Sequence, residues 1–307
     1  MARAYLREVG LRDGLQMVKT DLSTERKIEW IRDAVAAGLT ELEVTSFVPP
    51  KTFPIFADAA YVAQFAITVP RLIPSALVVN LRGASDAFAS GLRQVSYVLS
   101  ASEAHSLANA RRTSDEAAAE FERIVALRDS LGLVDTVQLS CGIATALGCS
   151  LQGHVAESRV LDLAARVSAA GAAEVLIADT VGYGSPGQVE RLFTHLRARL
   201  PELQVAAHFH DTRGMGLANV VAALRAGVRR FDASIGGLGG CPYAPGATGN
   251  INFEDTAFLL ESEGFETGVD FDALLALRSK VENWLPQERF SGAIARAGYA
   301  KPLHSAQ

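Results

Sequence analysis

The chain has 307 residues, 49% of them hydrophobic, and a formal net charge of −5. That is enough apolar mass for a large core, in two ordinary domains or one α/β barrel. The mild acidity, with no basic run or aromatic–basic interleaving, argues against a nucleic-acid partner, and no apolar stretch reaches the roughly 18 residues of a membrane span.

Taken in chain order, β-rich runs alternate with helical patterns. Strands are predicted at 4–9, 41–47, 73–79, 94–102, 134–140, 174–180, 204–211 and 230–236. Helices are predicted at 23–37, where Ile28, Ile31 and Val35 share a face, and at 114–131, 155–170, 186–200 and 214–226, with weaker patterns at 52–69 and 84–91. Eight such units suggest an α/β fold of the closed (β/α)8 TIM barrel type, with a doubly wound open sheet as the runner-up. No linker divides the chain, so residues 1–307 read as one domain: a barrel over about 4–265, then a helical extension over about 266–307 with Trp284, Leu285 and Pro286 between two helices. The N-terminal MARAYLREVG reads into a strand rather than a leader. Cys141, Cys149 and Cys241 are too scattered for a disulfide framework or a zinc cage, so a reducing, cytoplasmic compartment is expected. No stretch marks an oligomer interface, and a homodimer is compatible with the sequence.

In a barrel, chemistry collects at the C-terminal ends of the strands. There the sequence places Arg12 and Asp13 after strand 1, Glu43 within strand 2, Asp179 at the end of strand 6, and His208 and His210 on strand 7. Alternation puts both imidazoles on one face, about 7 Å apart along the strand, with Phe209 opposite. Two such rings can hold one metal ion, with Asp13 as an oxygen ligand and the Asn250 amide oxygen as a fourth. Two nitrogens and two oxygens suit Mg2+ or Mn2+, with zinc left open. Arg12 is the natural partner for Glu43, because an unpaired buried carboxylate is costly. Asp179 either caps a helix or joins the site, and Asp211 is read as a cap. The stretch GGLGGCPYAPGATGN (236–250) sets a thiol, Cys241, on a pliable segment that ends in Asn250.

With EVGLRDGLQ (8–16), TSFVPPK (45–51), SASEAHSLANARRT (100–113) and HFHDTRGMGLANV (208–220), that stretch resembles 3-hydroxy-3-methylglutaryl-CoA (HMG-CoA) lyase. The resemblance implies a divalent-cation-dependent TIM barrel that cleaves an acyl-CoA to acetyl-CoA and acetoacetate. It implies Asp13, His208, His210 and Asn250 as metal ligands, and Arg12, Glu43 and Cys241 as catalytic groups, with His208 working beside the cysteine. It also implies Glu8, Gln16 and Asp179 in support. Lys19 and Asn109 are candidate CoA contacts.

The chain departs from the family pattern at Leu11, where Pro is usual, at Met17 and Val18, and at Leu176 and Ala178, where smaller or more polar residues are common. The segment SCGIATALGCSLQGH (140–154) also looks lengthened after strand 5. These departures surround the expected acyl site, so a larger or more apolar 3-hydroxyacyl-CoA is a candidate substrate. A Claisen-type condensing enzyme or aldolase on the same metal site, and a non-catalytic CoA-ester binder, are the competing readings.

Overall fold

A computed structural model describes residues 2–240 and 249–299. Eight parallel strands close a barrel in chain order: β1 (Tyr5–Glu8), β2 (Glu41–Phe47), β3 (Ile73–Val78), β4 (Gln94–Ser100), β5 (Gln138–Ala144), β6 (Glu174–Asp179), β7 (Gln204–Phe209) and β8 (Arg230–Ala233), with β8 paired back to β1. Closure removes the open-sheet alternative. Outside the barrel, Ala2–Arg3 pairs with Phe265–Glu266.

The helical layer comprises α1 (Thr24–Ala36), α2 (Ala59–Ala66), α3 (Leu81–Ala89), α4 (Glu103–Ala110), α5 (Ser114–Ser130), α6 (Glu157–Ala170), α7 (Pro186–Arg199), α8 (Gly216–Arg225), α9 (Phe253–Ser262), α10 (Phe271–Trp284) and α11 (Ile294–Ala297). The outward faces of the strands and the inward faces of the helices form the main core. Within it Trp30, Phe121, Phe193, Phe209, Phe231 and Phe253 are fully buried. Phe209, the residue between the two strand-7 histidines, meets Phe193 edge-on at 6.4 Å between ring centroids. That contact anchors the outer face of β7 and sends His208 and His210 to the lumen. A capping box of Thr113 and Glu116 starts α5, as the sequence Thr-Ser-Asp-Glu invites. No helix among the described residues is long and apolar enough to cross a membrane.

Several strand boundaries differ from expectation, and strands 7 and 8 end earlier, at Phe209 and Ala233. Strand 5 runs over 138–144, not 134–140, with Gln138 in register with Gln94 and Ala144 with Ser100. Its lumen positions, Ser140, Gly142 and Ala144, are too small to show an apolar alternation. A third of the segment that looks lengthened, residues 140–144, is therefore strand. Strand 4 stops at Ser100, because Ser102 instead caps α4 by accepting from the His105 N–H at 3.2 Å.

The turn after β8 is held from three sides. Gly236 and Gly237 have φ of 64° and 68°, a region open chiefly to glycine. A Cβ on Gly236 would lie 2.3 Å from Phe290 Cδ1, and the Ser291 N–H donates to the Gly236 carbonyl at 2.7 Å. The chain beyond α10 thus packs on the turn after β8.

Candidate active site

After β1 the chain makes a single wide helical turn over Gly10–Gly14. Local sequence alone does not impose it. Glu8, on the outer face of β1, accepts from the Gly10 N–H at 2.7 Å and from the Ile235 N–H at 3.3 Å. One buried carboxyl therefore ties the turn bearing Arg12 and Asp13 to the turn after β8. Burial pushes Glu8 up to about 8, despite the backbone N–H groups that favour its charged form. Glu254 on α9 accepts from the Gly236 N–H at 3.1 Å and is likewise pushed up by burial, to about 7, against the pull of Arg278.

This framework brings Asp13, His208 and His210 together at the C-terminal mouth, with candidate ligand atoms all within 4.8 Å of one another. His208 Nε2 and His210 Nε2 are 3.1 Å apart, and Asp13 Oδ2 lies 4.0 and 3.8 Å from them. The Asn250 side-chain N–H donates to Asp13 Oδ2 at 2.7 Å and to the Leu238 carbonyl at 3.1 Å. The antiparallel bridge between His210 and Asn250 holds this last element against β7. Asn250 Oδ1 is buried and has no hydrogen-bond partner among the described residues.

Such a donor set fits a divalent cation. It offers two imidazole nitrogens and a carboxylate around one point, with the Asn250 amide, whose N–H faces Asp13, beside them. Burial opposes charge on Asp13, yet Arg12, the two imidazoles and Asn250 together hold its carboxyl down at about 2. Burial and the neighbouring His208 push His210 down to about 4, keeping its ring neutral. His208 moves the other way: burial alone would lower it, but Asp232 and Asp13 raise it.

Arg12 contacts the Asp13 carboxylate, and its Nε lies 3.0 Å from Glu43 Oε2, out of line for a hydrogen bond. Glu43 Oε1 accepts from the Ser96 hydroxyl. The guanidinium is thus gripped by two carboxylates in the mouth.

Other expected residues make different contacts. Asp179 is buried, but its two oxygens accept from the Tyr183 and Gly184 N–H groups at 2.8 and 3.0 Å, so it shapes the loop after β6. It shares the outward-facing register of Phe209, away from the His208 face. Asp211 accepts from the first N–H of α8, that of Gly216, at 2.7 Å, although Met215 and not Asp211 holds the N-cap position. Gln16 is half-buried beside the Asp13 turn, whereas Lys19 and Asn109 are exposed. Cys241 lies outside the described residues.

Sequence reading missed Asp232 and Arg7. Asp232 Oδ2 lies 3.1 Å from His208 Nδ1, and Arg7 Nε donates to Asp232 Oδ1 at 2.8 Å. This partner assigns the proton to Nδ1 and leaves Nε2 with its lone pair toward Asp13. The available signal was a carboxylate inside the apolar run RFDASIG.

Against known proteins, residues 3–281 match the HMGL-like family. A hydroxymethylglutaryl-CoA lyase of Bacillus subtilis is 38% identical over 280 residues, covering 91% of this chain and 92% of that protein. A 3-hydroxy-3-isohexenylglutaryl-CoA/hydroxymethylglutaryl-CoA lyase of Pseudomonas aeruginosa is 39% identical over 273 residues, with 89% and 90% covered. An HMG-CoA lyase from Acinetobacter baumannii, solved with coenzyme A and 3-methylmalate, superposes with a TM-score of 0.90 at 37% identity, covering 99% of this chain and 98% of that one. The chain is a member of the HMGL-like lyase family.

Proposed function

We propose that this protein cleaves HMG-CoA, or a close 3-hydroxyacyl-CoA analogue, to acetyl-CoA and acetoacetate or the corresponding keto acid, using Mg2+ or Mn2+. The observation that carries this reading is the convergence of Asp13, His208 and His210, beside the Asn250 amide and the Arg12 guanidinium, in one barrel mouth.

The reaction takes the proton from a tertiary hydroxyl at C3, turns that O–H pair into a C=O bond, and moves the C2–C3 pair onto the thioester as an enolate. A bound divalent cation supplies the Lewis acidity that lets such an alcohol ionise at neutral pH. Asp13, His208, His210 and Asn250 would hold it. Hard oxygens beside nitrogens favour Mg2+ or Mn2+. Arg12 offers a permanent positive charge to the thioester oxygen as the enolate forms. Glu43 and Asp13 keep the guanidinium from rotating away, and Ser96 in turn fixes Glu43. Asp232 holds His208 in the tautomer that presents Nε2.

The enolate carbon then needs a proton. Cys241 is the proposed donor, because a thiol with an ordinary pKa of about 8.5 remains protonated at neutral pH. The test is turnover of a panel of 3-hydroxyacyl-CoA thioesters with Mg2+ or Mn2+, with products identified by mass spectrometry. Acetyl-CoA plus a keto acid is expected, strongly reduced in Cys241→Ala with Mn2+ affinity retained. Unchanged turnover in that variant would remove the thiol from the reaction. Absence of acetyl-CoA from every thioester, with the cation bound, would overturn the reading as a whole.

A further inference from the structure

Barrel interiors are ordinarily filled by layers of side chains. Here one sector leaves its lumen side chains partly accessible. On β4, Ser96 and Val98 are only half-buried although both lie mid-strand, and so is Leu176 on β6, while their outward neighbours Tyr97, Leu99, Val175 and Ile177 are buried. The register shows that these residues share the face of the metal site. His208 pairs with Ala178, Leu176 with Gly142, and Gly142 with Val98. The face ends at Ser96, whose hydroxyl reaches Glu43. A recess therefore runs from the His208 side to the Arg12–Glu43 side, lined by Val98, Leu176 and Ala178.

Gly142 is its back wall. A Cβ there would meet Val98 Cγ2 at 3.5 Å and Leu176 Cδ2 at 3.8 Å, ordinary contact distances. Backbone sterics therefore do not require glycine at this position. Its effect is to leave volume between two apolar side chains.

The electrostatics exclude an anion from that volume. The cations nearest in the lumen are committed: Arg12 to Asp13 and Glu43, Arg7 to Asp232 and Glu174. The charges bordering the far end of the recess are the paired Arg12 guanidinium and Glu43 carboxylate. Its polar neighbour Ser96 already donates to Glu43, and Ser140 lies one pleat deeper beside Glu174. A carboxylate arm of the substrate has its cationic partner at the metal group, and an apolar branch has the recess.

We infer that the recess formed by Val98, Gly142 and Leu176 receives the C3 substituent of the substrate, and that the protein prefers a 3-hydroxyacyl-CoA whose C3 carries an apolar chain longer than methyl. This rests on the lyase reading above and narrows its substrate class. Methyl leaves the recess partly empty, and each further buried methylene contributes about fourfold in binding.

The experiment compares kcat/KM for HMG-CoA and its 3-butyl homologue with Mn2+. It is paired with calorimetric titration of the uncleavable 3-methylglutaryl- and 3-butylglutaryl-CoA, which lack the hydroxyl. The butyl compounds are expected to win by about tenfold or more in both measurements. Gly142→Leu, which fills the back wall, is expected to cut that ratio at least tenfold. Leu176→Asn is expected to cut it as well, and serves should Gly142→Leu not fold. Equal or better use of the methyl compounds by the unaltered protein overturns the inference while leaving the lyase reading intact. Tighter binding of the butyl compound without cleavage of either thioester supports the recess and overturns the lyase reading. An unchanged ratio in both folded variants removes Gly142 and Leu176 from specificity.

Discussion

The two halves of the barrel lumen are both highly charged, and they use charge in opposite ways. Toward the N-terminal ends of the strands, Arg7, Glu41, Glu174, Arg230 and Asp232 form a closed network. Arg7 bonds Asp232 and Glu174, Arg230 bonds Glu174 and Glu41, and Gln204 donates to Glu174 at 2.9 Å. Toward the C-terminal ends, Asp13, His208, His210 and Asn250 converge with like groups facing one another, and His210 Nδ1 and Asn250 Oδ1 have no partner among the described residues. A satisfied network is structural support. A group that leaves buried donors and acceptors unmatched is a candidate binding site. Asp232 is the hinge between the halves, with one oxygen on Arg7 and the other on His208.

The sharpest way to break this comparison is at the mouth. Asp13→Asn is expected to weaken Mn2+ by more than the roughly 10–100-fold typical of outer partners of a metal site, with the melting temperature little changed. A titration followed by Mn2+ paramagnetic resonance checks it. Arg12→Gln is expected to lower kcat by about 100- to 1000-fold, the scale of a lost charge stabiliser, in single-turnover assays at saturating Mn2+. Asp232→Asn and Glu174→Gln then separate the two halves. The first is expected to cost about 10–100-fold in Mn2+ affinity. The second leaves Arg230 and Arg7 short of a partner, at a cost of about 3–5 kcal/mol in denaturant unfolding, with Mn2+ affinity unchanged. Loss of metal affinity in Glu174→Gln equal to that in Asp232→Asn would erase the distinction.

The last prediction concerns pH. Glu8 has a folded-state pKa near 8 against an ordinary 4.5, because it is buried. Between those values the folded protein keeps a proton that the unfolded chain releases. Its contribution to stability is therefore full below about 4.5 and is lost as pH rises toward 8. Glu8→Gln cannot ionise, so thermal unfolding of that variant is expected to depend less on pH across this window. An unaltered slope would mean that Glu8 does not hold its proton as the burial implies.

Much of this organisation was legible in the residues. The spacing of His208 and His210 placed them on one face, because strand alternation needs no tertiary information. Arg12 beside Glu43 followed from the cost of an unpaired carboxylate in an apolar strand. Strand 5 was misplaced because its lumen side is small, a feature that has meaning only once there is a lumen. Asp179 could be read as a cap or as a site residue, and only the register of β6 against β7 turned it outward. Asp232 carried no local motif, and its connection to His208 spans 24 positions in the chain.

By itself the sequence determined the alternation of strands and helices, the shared face of the two histidines and the chemistry available at the strand ends. These depend on backbone periodicity and on the cost of burying polar groups. The tertiary structure decided barrel closure, the tie that Glu8 makes from the Asp13 turn to Ile235, the tautomer-setting contact of Asp232 and the open sector beside Gly142. Each of these depends on residues distant in the chain whose separation only the folded backbone sets.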